Sequence, residues 1–376
     1  TINGERLWDS LMEMAKIGAT EKGGVCRLAL TDVDKAARDL FVQWCEEAGC
    51  TVTVDKMGNI FGRREGTDPS LPPVMMGSHI DSQPTGGRFD GIYGVLAGLE
   101  VIRALNDAGA QTRAPIEVSA WTNEEGSRFA PAMVSSGVFA GVFDLEYGLS
   151  RTDLDGLTMG QELERIGYAG DAEVGKPVRA FFEVHIEQGP ILEAEGKTIG
   201  VVTDAQGQRW YEVTYTGQEA HAGPTPMATR RDAMVGAAKV IQAVNALGHK
   251  YAPLACATVG LVQVHPNSRN VIPGQVFFTI DLRHPDDAIL SKMDAEIRAI
   301  TARVAEEDRL ELDFEQIWYS RPVPFDPECV AAVRQAAEAN GFAHRDIVSG
   351  AGHDACYIAR VAPTAMVFVP CEGGIS

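Results

Sequence analysis

The hydrophobic positions in the first part of the chain alternate between helical and strand spacing. Apolar residues recur at helical intervals from Leu7 to Ile17, and Thr31 and Asp32 form a capping sequence before a helix that runs to Trp44. A further helix is predicted at 95–105, and short β-rich runs are found at 50–55, 59–62, 73–77 and 116–121. This alternation predicts an α/β domain with a largely parallel sheet.

The pattern changes near residue 207. A strand, a helix, two strands, a helix and a strand are predicted at 208–217, 232–247, 255–264, 275–282, 286–307 and 318–323. This order is typical of a small α+β sandwich. A helix at 327–340 and a strand at 364–370 then return to the α/β style. We therefore predict a first domain of residues 1–208 and 322–376, interrupted by a second domain at 209–321.

Composition narrows the class of protein. With 376 residues, of which 45% are hydrophobic, the chain is long enough for two cores. The formal charge of -19 disfavours nucleic acid and anionic membranes as partners. No apolar run approaches a membrane span, and the N-terminus lacks a basic-then-apolar segment, so we expect a soluble, unexported protein. Seven scattered cysteines without a C-x-x-C pair favour free thiols in the cytoplasm.

Candidate chemistry lies at the ends of the apolar runs. His79, Asp90, the pair at 124–125 and His185 combine two imidazoles with several carboxylates, a ligand set that suits divalent metals. Taken singly, each has an ordinary explanation, because a lone histidine is more often a core or surface residue and Asp-Gly is more often a turn. Glu124-Glu125 alone would be an acidic pair that opens a helix. As a set, these residues predict a metal-dependent hydrolase.

Seven separated motifs extend this set along the chain. They are GSHIDS (77–82), GGRFDG (86–91), NEEGSRF (123–129), HIEQG (185–189), HAGPTPM (221–227), NSRNVIPG (267–274) and SGAGHDA (349–355). In this order and spacing, from about residue 4 to the last residue, the chain resembles the hydantoinase/carbamoylase branch of the M20 metallo-amidohydrolase and peptidase family. The resemblance implies an α/β di-metal catalytic domain with a mostly parallel sheet. It also implies that a smaller α+β sandwich interrupts this domain as a lid and dimerisation domain.

The resemblance assigns a ligand set for two divalent ions, which could be zinc, manganese, cobalt or nickel. His79 and His185 each bind one ion, Asp90 bridges both, and Glu125 completes the second. The bridging carboxylate offsets the repulsion between two dications. Asp81 accepts the other ring N–H of His79 and orients the imidazole. 

The resemblance also assigns catalytic and substrate-binding roles. Glu124 is the carboxylate that takes a proton from water and passes it to the leaving nitrogen. His221 polarises the scissile carbonyl from the neighbouring subunit of a homodimer. Asn270 and Arg283 hold the substrate carboxylate, since the guanidinium fork matches it; without the resemblance, His221 could be only a turn residue and Arg283 a surface residue. Further substrate contacts are assigned to Gln188 and Gly352, and structural or supporting positions to His265, His284, His353 and Asp354.

The implied reaction is the hydrolysis of an N-carbamoyl amino acid to the amino acid, carbon dioxide and ammonia. The substrate is an N-carbamoyl-L-α-amino acid or N-carbamoyl-β-alanine, which makes the partner a small ureido acid. Allantoate amidohydrolase, an M20-type aminoacylase or dipeptidase, and a binding protein with a decayed site remain alternatives. The family carries a further metal-binding histidine directly after a Gly-Ile-Ser sequence, where this sequence ends at Ser376. We expect that a tail is missing; alternatively, one metal is held more weakly.

Overall fold

The computed structural model describes residues Thr1–Ser376. The chain divides into two compact units, one formed by Thr1–Thr203 with Phe325–Ser376 and the other by Asp204–Pro324. The sequence-based boundaries of a catalytic domain and an inserted lid domain, at 208/209 and 321/322, stay a prediction. No helix combines the length and the apolar character that crossing a bilayer would require.

The regular elements are numbered in chain order. The helices are α1 Gly4–Met14, α2 Asp32–Glu47, α3 Ile92–Asp107, α4 Val134–Phe139, α5 Leu145–Leu149, α6 Met159–Ile166, α7 Ile191–Ala194, α8 Ala233–Lys250, α9 Asp287–Asp308, α10 Pro327–Ala339 and α11 Asp354–Ile358. The strands are β1 Thr51–Val54, β2 Ile60–Arg64, β3 Val74–His79, β4 Ile116–Trp121, β5 Ala180–Ile186, β6 Ile199–Ala205, β7 Gly207–Thr216, β8 Ala220–His221, β9 Cys256–Thr258, β10 Val262–His265, β11 Val271–Ile272, β12 Gln275–His284, β13 Glu311–Ser320, β14 Val323–Pro324, β15 His344–Ser349 and β16 Thr364–Val369.

The sheet of the first unit is mixed, with strand order β1-β2-β4-β3-β5-β16-β6 and β15 beside β6. Its four central strands, β4, β3, β5 and β16, are parallel. β1 pairs antiparallel with β2, β2 with β4, and β6 with β16. The prediction of a largely parallel sheet is therefore wrong for the flanking strands, although the domain is α/β. The turn after β1 explains one antiparallel pair, because Asp55 accepts the main-chain N–H groups of Met57 and Asn59 and reverses the chain.

The core of the first unit positions the candidate site. α2 begins at a Thr31 cap whose side chain accepts the N–H of Asp34, and it buries Phe41 against the sheet. Val118 of β4 and Leu99 of α3 are also fully buried in this core. Since β3, β4 and β5 are parallel, their carboxyl ends share one edge of the sheet, where active sites of α/β proteins lie.

The second unit has an antiparallel sheet of order β10-β12-β7-β13 with β9 beside β12, and a separate ladder of β8 and β11. Residues from β7, β12, α8 and α9 form its core, including Tyr215, Phe278, Val240 and Ile297. The predicted strand at 255–264 is two strands, β9 and β10. The predicted closing strand at 318–323 was placed too late, because α9 stops before the left-handed Arg309 and β13 begins at once.

Candidate metal centre

Three buried side chains meet at the carboxyl edge of the first unit's sheet. His79 is the last residue of β3, His185 is near the end of β5, and Asp90 lies just before α3. Asp90 Oδ1 is 3.1 Å from His185 Nε2 and 3.7 Å from His79 Nε2, and a ligand atom from each residue lies within 4.8 Å of the other two. None of the three is more than 4% exposed. The group is compact enough to surround a cation.

Main-chain oxygens orient the two imidazoles. His79 Nδ1 lies 2.8 Å from the carbonyl oxygen of Asp81, and His185 Nδ1 lies 2.9 Å from that of Ile186. A carbonyl can only accept, so each Nδ1 carries a hydrogen, and Nε2 is the ring atom directed at Asp90. Two such nitrogens and a carboxylate suit a divalent metal. The Asp81 main-chain oxygen is therefore the partner of His79 Nδ1, while the Asp81 carboxylate, predicted for this role, has Oδ1 3.8 Å from that nitrogen.

The Asp90-Gly91 pair has a steric reason. Gly91 precedes α3 with φ of 64°, a left-handed conformation that favours glycine. A Cβ atom at this position would lie 2.4 Å from Cε1 and Nε2 of His79. Only glycine lets the start of α3 approach the imidazole closely, and this approach brings the Asp90 carboxylate to the two histidines.

The two glutamates after β4 point in different directions. The carboxylate of Asp81 accepts both of their main-chain N–H groups. The carboxylate of Glu124 is buried, with Oε2 3.5 Å from His79 Nε2. Glu125 instead accepts hydrogen bonds from the main chain of Gln83 at 3.2 Å and from its side-chain amide at 2.7 Å. Glu125 is therefore not part of the buried group of three.

Negative charge is concentrated around this group. Burial raises the pKa of Glu124 well above its usual value, and neighbouring carboxylates, led by Asp354, add to the effect. Burial lowers the pKa of His79, but the charges of Asp81, Glu125 and Asp90 outweigh it and leave that pKa raised. At Asp90 the two effects have opposite signs. Burial raises the pKa of this carboxyl, but His185 and His79 outweigh burial and hold the pKa below its usual range. Such a field stabilises a bound cation.

A second buried group, Glu183, His185 and His353, was not predicted as a site. Glu183 accepts hydrogen bonds from Ser78 Oγ at 2.7 Å and from the N–H of Ala355 at 2.9 Å. The His353 ring packs edge-on against His185 with centroids 4.5 Å apart. Because both Glu183 oxygens are already occupied, we interpret this group as support for His185. An acidic residue within the apolar run of β5 was the signal in the sequence.

The residues predicted to contact substrate lie in both units. In the first unit, Gln188 donates its side-chain amide to Asp90 Oδ2 at 3.0 Å, and Ser376 Oγ also hydrogen-bonds this oxygen. Gly352 is half-buried in the loop before α11. The structure thus places the Gln188 side chain directly against a predicted metal ligand.

In the second unit, His221 and Asn270 lie at the same end of the β8–β11 ladder. His221 pairs with Val271, and the N–H of Ala222 donates to the carbonyl of Asn270 at 2.8 Å. The side chain of His221 is exposed. Arg283, near the end of β12, donates Nε and Nη2 to the carboxylate of Asp281 on the same strand. Asp281 therefore orients the guanidinium.

Comparisons with known proteins agree with the motifs. Residues 75–376 match the profile described as peptidase family M20/M25/M40. The N-carbamoyl-L-amino-acid amidohydrolase of Rhizobium meliloti is 54% identical over 376 residues, which is 100% of this chain and 90% of that protein. The allantoate amidohydrolase of Bacillus subtilis is 33% identical over 371 residues, which is 98% of this chain and 90% of that protein.

A solved structure extends the comparison to the fold. The crystal structure of an amidase of the hydantoinase/carbamoylase family from Burkholderia multivorans superposes with a TM-score of 0.97 at 72% identity. The match covers 100% of this chain and 92% of that chain. The chain therefore belongs to peptidase family M20/M25/M40, and within it to the hydantoinase/carbamoylase amidases.

Proposed function

We propose that the chain hydrolyses the linear amide of an N-carbamoyl amino acid, using one water to give the amino acid, carbon dioxide and ammonia. The similarity to the Rhizobium meliloti enzyme over the full chain supports this substrate class. The observation that carries the proposal is the buried group of His79, Asp90 and His185 with the carboxylate of Glu124 beside it. Metal-assisted amide hydrolysis uses a Lewis acid and a proton acceptor that lie next to each other.

His79, Asp90 and His185 would hold divalent metal, and their donor atoms fit that role. We further propose two ions per chain, with Asp90 shared and Glu125 as a ligand of the second. The effect of the Glu125 charge on the pKa of His79 supports its closeness to the group. When bound, the metal would supply Lewis acidity toward the scissile carbonyl and the attacking water.

Glu124 would accept the proton of the attacking water and return it to the leaving nitrogen. Its Oε2 lies 3.5 Å from His79 Nε2, and its main-chain N–H donates to the carboxylate of Asp81. A nearly buried carboxylate has little competing water, so the proton it takes stays available for the leaving group. Burial and neighbouring carboxylates favour this protonated form.

Five residues are assigned to the substrate. His221 would donate a hydrogen bond to the scissile carbonyl oxygen, where negative charge develops. Asn270 lies close to His221 on the ladder, and Asp281 orients the guanidinium of Arg283. Both Asn270 and Arg283 would bind the substrate carboxylate. Gln188 and Gly352 would make further contacts. We also propose a homodimer through the inserted domain in which each site receives His221 from the partner, a proposal that rests on the family resemblance.

A substrate panel tests the proposal. Enzyme supplied with divalent metal is offered N-carbamoyl-L-α-amino acids, N-carbamoyl-β-alanine, allantoate and dipeptides, and product formation is followed for each. We expect the highest kcat/KM for a carbamoyl amino acid. A higher value for allantoate would assign the chain to the activity named for its Bacillus subtilis relative. A preference for dipeptides would overturn the ureido substrate altogether.

A further inference from the structure

The loop from His221 to Arg230 in the second unit is held by its own side chains. Arg230, which is half-buried, donates Nη2 to the carbonyl of Ala222 at 2.7 Å. Its Nε and Nη2 also donate to the carbonyl of Thr225 at 3.2 and 3.1 Å. Thr225 Oγ1 in turn donates to the carbonyl of His221 at 2.7 Å. One guanidinium therefore ties the histidine end of the loop to its far end.

The same loop determines which ring nitrogen of His221 carries the hydrogen. The main-chain N–H of Gly223 donates to His221 Nδ1 at 3.1 Å. An Nδ1 that accepts cannot hold a hydrogen, so the neutral imidazole is the Nε2–H tautomer. His79 and His185 have the opposite arrangement, because their Nδ1 atoms face carbonyl oxygens and carry a hydrogen; in the neutral form of such a ring the lone pair is on Nε2. The main-chain group that faces Nδ1 thus determines which ring nitrogen carries the hydrogen in each of these histidines.

We propose that the loop presents His221 as a preorganised Nε2–H donor, with Gly223 setting the tautomer and Arg230 acting as a positioning residue. This inference rests on the proposed function, in which His221 donates to the scissile carbonyl oxygen. The other neutral tautomer would direct a lone pair at that oxygen and repel it. Holding the hydrogen on Nε2 before substrate binds removes the reorganisation that a mobile imidazole would require.

Ring-nitrogen NMR tests the tautomer without relying on activity. The ¹⁵N signals of the histidines are recorded near pH 9, well above the ordinary histidine pKa of roughly 6.5, and His221→Ala identifies those of His221. We expect a protonated Nε2 and an unprotonated Nδ1. Gly223→Pro removes the N–H and should give a tautomer mixture. Gly223→Ala retains the N–H and should preserve the wild-type signals, since its Cβ would meet the ring at an ordinary 3.5 Å.

A wild-type spectrum with hydrogen on Nδ1, or with an even mixture, overturns the proposal even if the proline variant fails to fold. If the tautomer is as proposed but His221→Ala keeps full activity, the catalytic role of His221 fails while the tautomer assignment stands. The two failures are therefore distinguishable.

Arg230 is tested by kinetics and by the same spectrum. Arg230→Met should lower kcat about 10- to 100-fold with a smaller change in KM, and should broaden or mix the His221 signals. Arg230→Lys should recover part of both, because an ammonium can still donate to the loop carbonyls. Arg303→Met is the control, since Arg303 is an exposed residue of α9 paired only with Glu307. Wild-type kcat together with a single tautomer in Arg230→Met would overturn the positioning role.

Discussion

One carboxylate oxygen of Asp81 accepts the main-chain N–H of Glu124 at 3.2 Å. The other oxygen accepts the N–H of Glu125 at 3.3 Å. Asp81 therefore fixes the short segment from which both glutamate side chains extend, and does so from the loop that follows the first histidine. The proposed proton-transfer group is tied in this way to the proposed metal ligands.

Replacing Asp81 by Asn should impair proton transfer by Glu124 without impairing metal binding. The amide has one acceptor and one donor, so at least one of the two N–H groups loses its partner, and a hydrogen bond to a charged group is worth roughly 1.5–3 kcal/mol. We expect kcat to fall about 10- to 100-fold while metal content stays unchanged, because the main-chain oxygen still orients His79. Kinetics and elemental analysis measure both, with Asp9→Asn on the exposed face of α1 as control. Loss of metal in parallel with activity would contradict this division.

Removing metal should abolish activity. We expect purified protein to carry about two divalent ions per chain, as in other two-metal hydrolases, and to lose turnover with a chelator. Adding zinc, manganese, cobalt or nickel should restore it to different extents. His185→Ala should lower the bound metal, since His185 Nε2 is the imidazole nitrogen closest to the Asp90 carboxylate. An active preparation without metal above background would rule out the assignment.

Glu124→Gln should retain metal and lose catalysis. The amide is nearly isosteric but cannot accept the proton, and general acid–base assistance is worth roughly 100- to 10,000-fold. The measurement is kcat at saturating substrate, together with metal content to show that the site is intact. A kcat near that of the wild type would remove Glu124 from the proton-transfer role.

Arg283→Lys should weaken kcat/KM strongly although the charge is kept. The lysine ammonium cannot form the two parallel hydrogen bonds that a guanidinium offers to a carboxylate. The matching test on the substrate is to compare an N-carbamoyl amino acid with its carboxamide, which we expect to be turned over far less efficiently. Equal kcat/KM for the two compounds would show that no carboxylate is recognised.

Mixing Glu124→Gln with His221→Ala protein should restore part of the activity if His221 is supplied by a partner subunit. Exchange of subunits then creates one site in which both groups are wild type. Labelled protein verifies the exchange, and activity is followed over the same period. Should exchange occur without recovery, His221 acts within its own chain or has no catalytic role.

The hydrophobic pattern was sufficient to locate the strand ends at which the candidate ligands lie. His79 and His185 follow apolar runs, and the parallel pairing of β3 with β5 brings them to one edge of the sheet. Strand direction itself is not encoded in a period of two, so the antiparallel pairing of β2 with β4 could not be derived. Strand direction is decided by tertiary packing, and both the core and the mixed sheet depend on it.

Contacts between side chains distant in sequence were the least predictable part. Glu125 is adjacent to Glu124, yet the structure pairs it with Gln83, which follows a different strand. The buried hydrogen bonds of Glu183 join β5 to β3 and to α11. The spacing of residues along the sequence does not predict these bonds. Such partners are set by packing across the sheet.

Because backbone carbonyls aim both candidate ligand imidazoles, their orientation does not depend on which side chain stands at position 81 or 186. Mutation can therefore alter the surroundings of the rings, in evolution or in a laboratory library, without redirecting their lone pairs. At Ile186 in particular, a change of side chain would vary the volume and polarity near the centre while the coordinating geometry is inherited from the strand itself. The direction of the two candidate ligand rings is in this sense carried by the main chain and not by a neighbouring carboxylate.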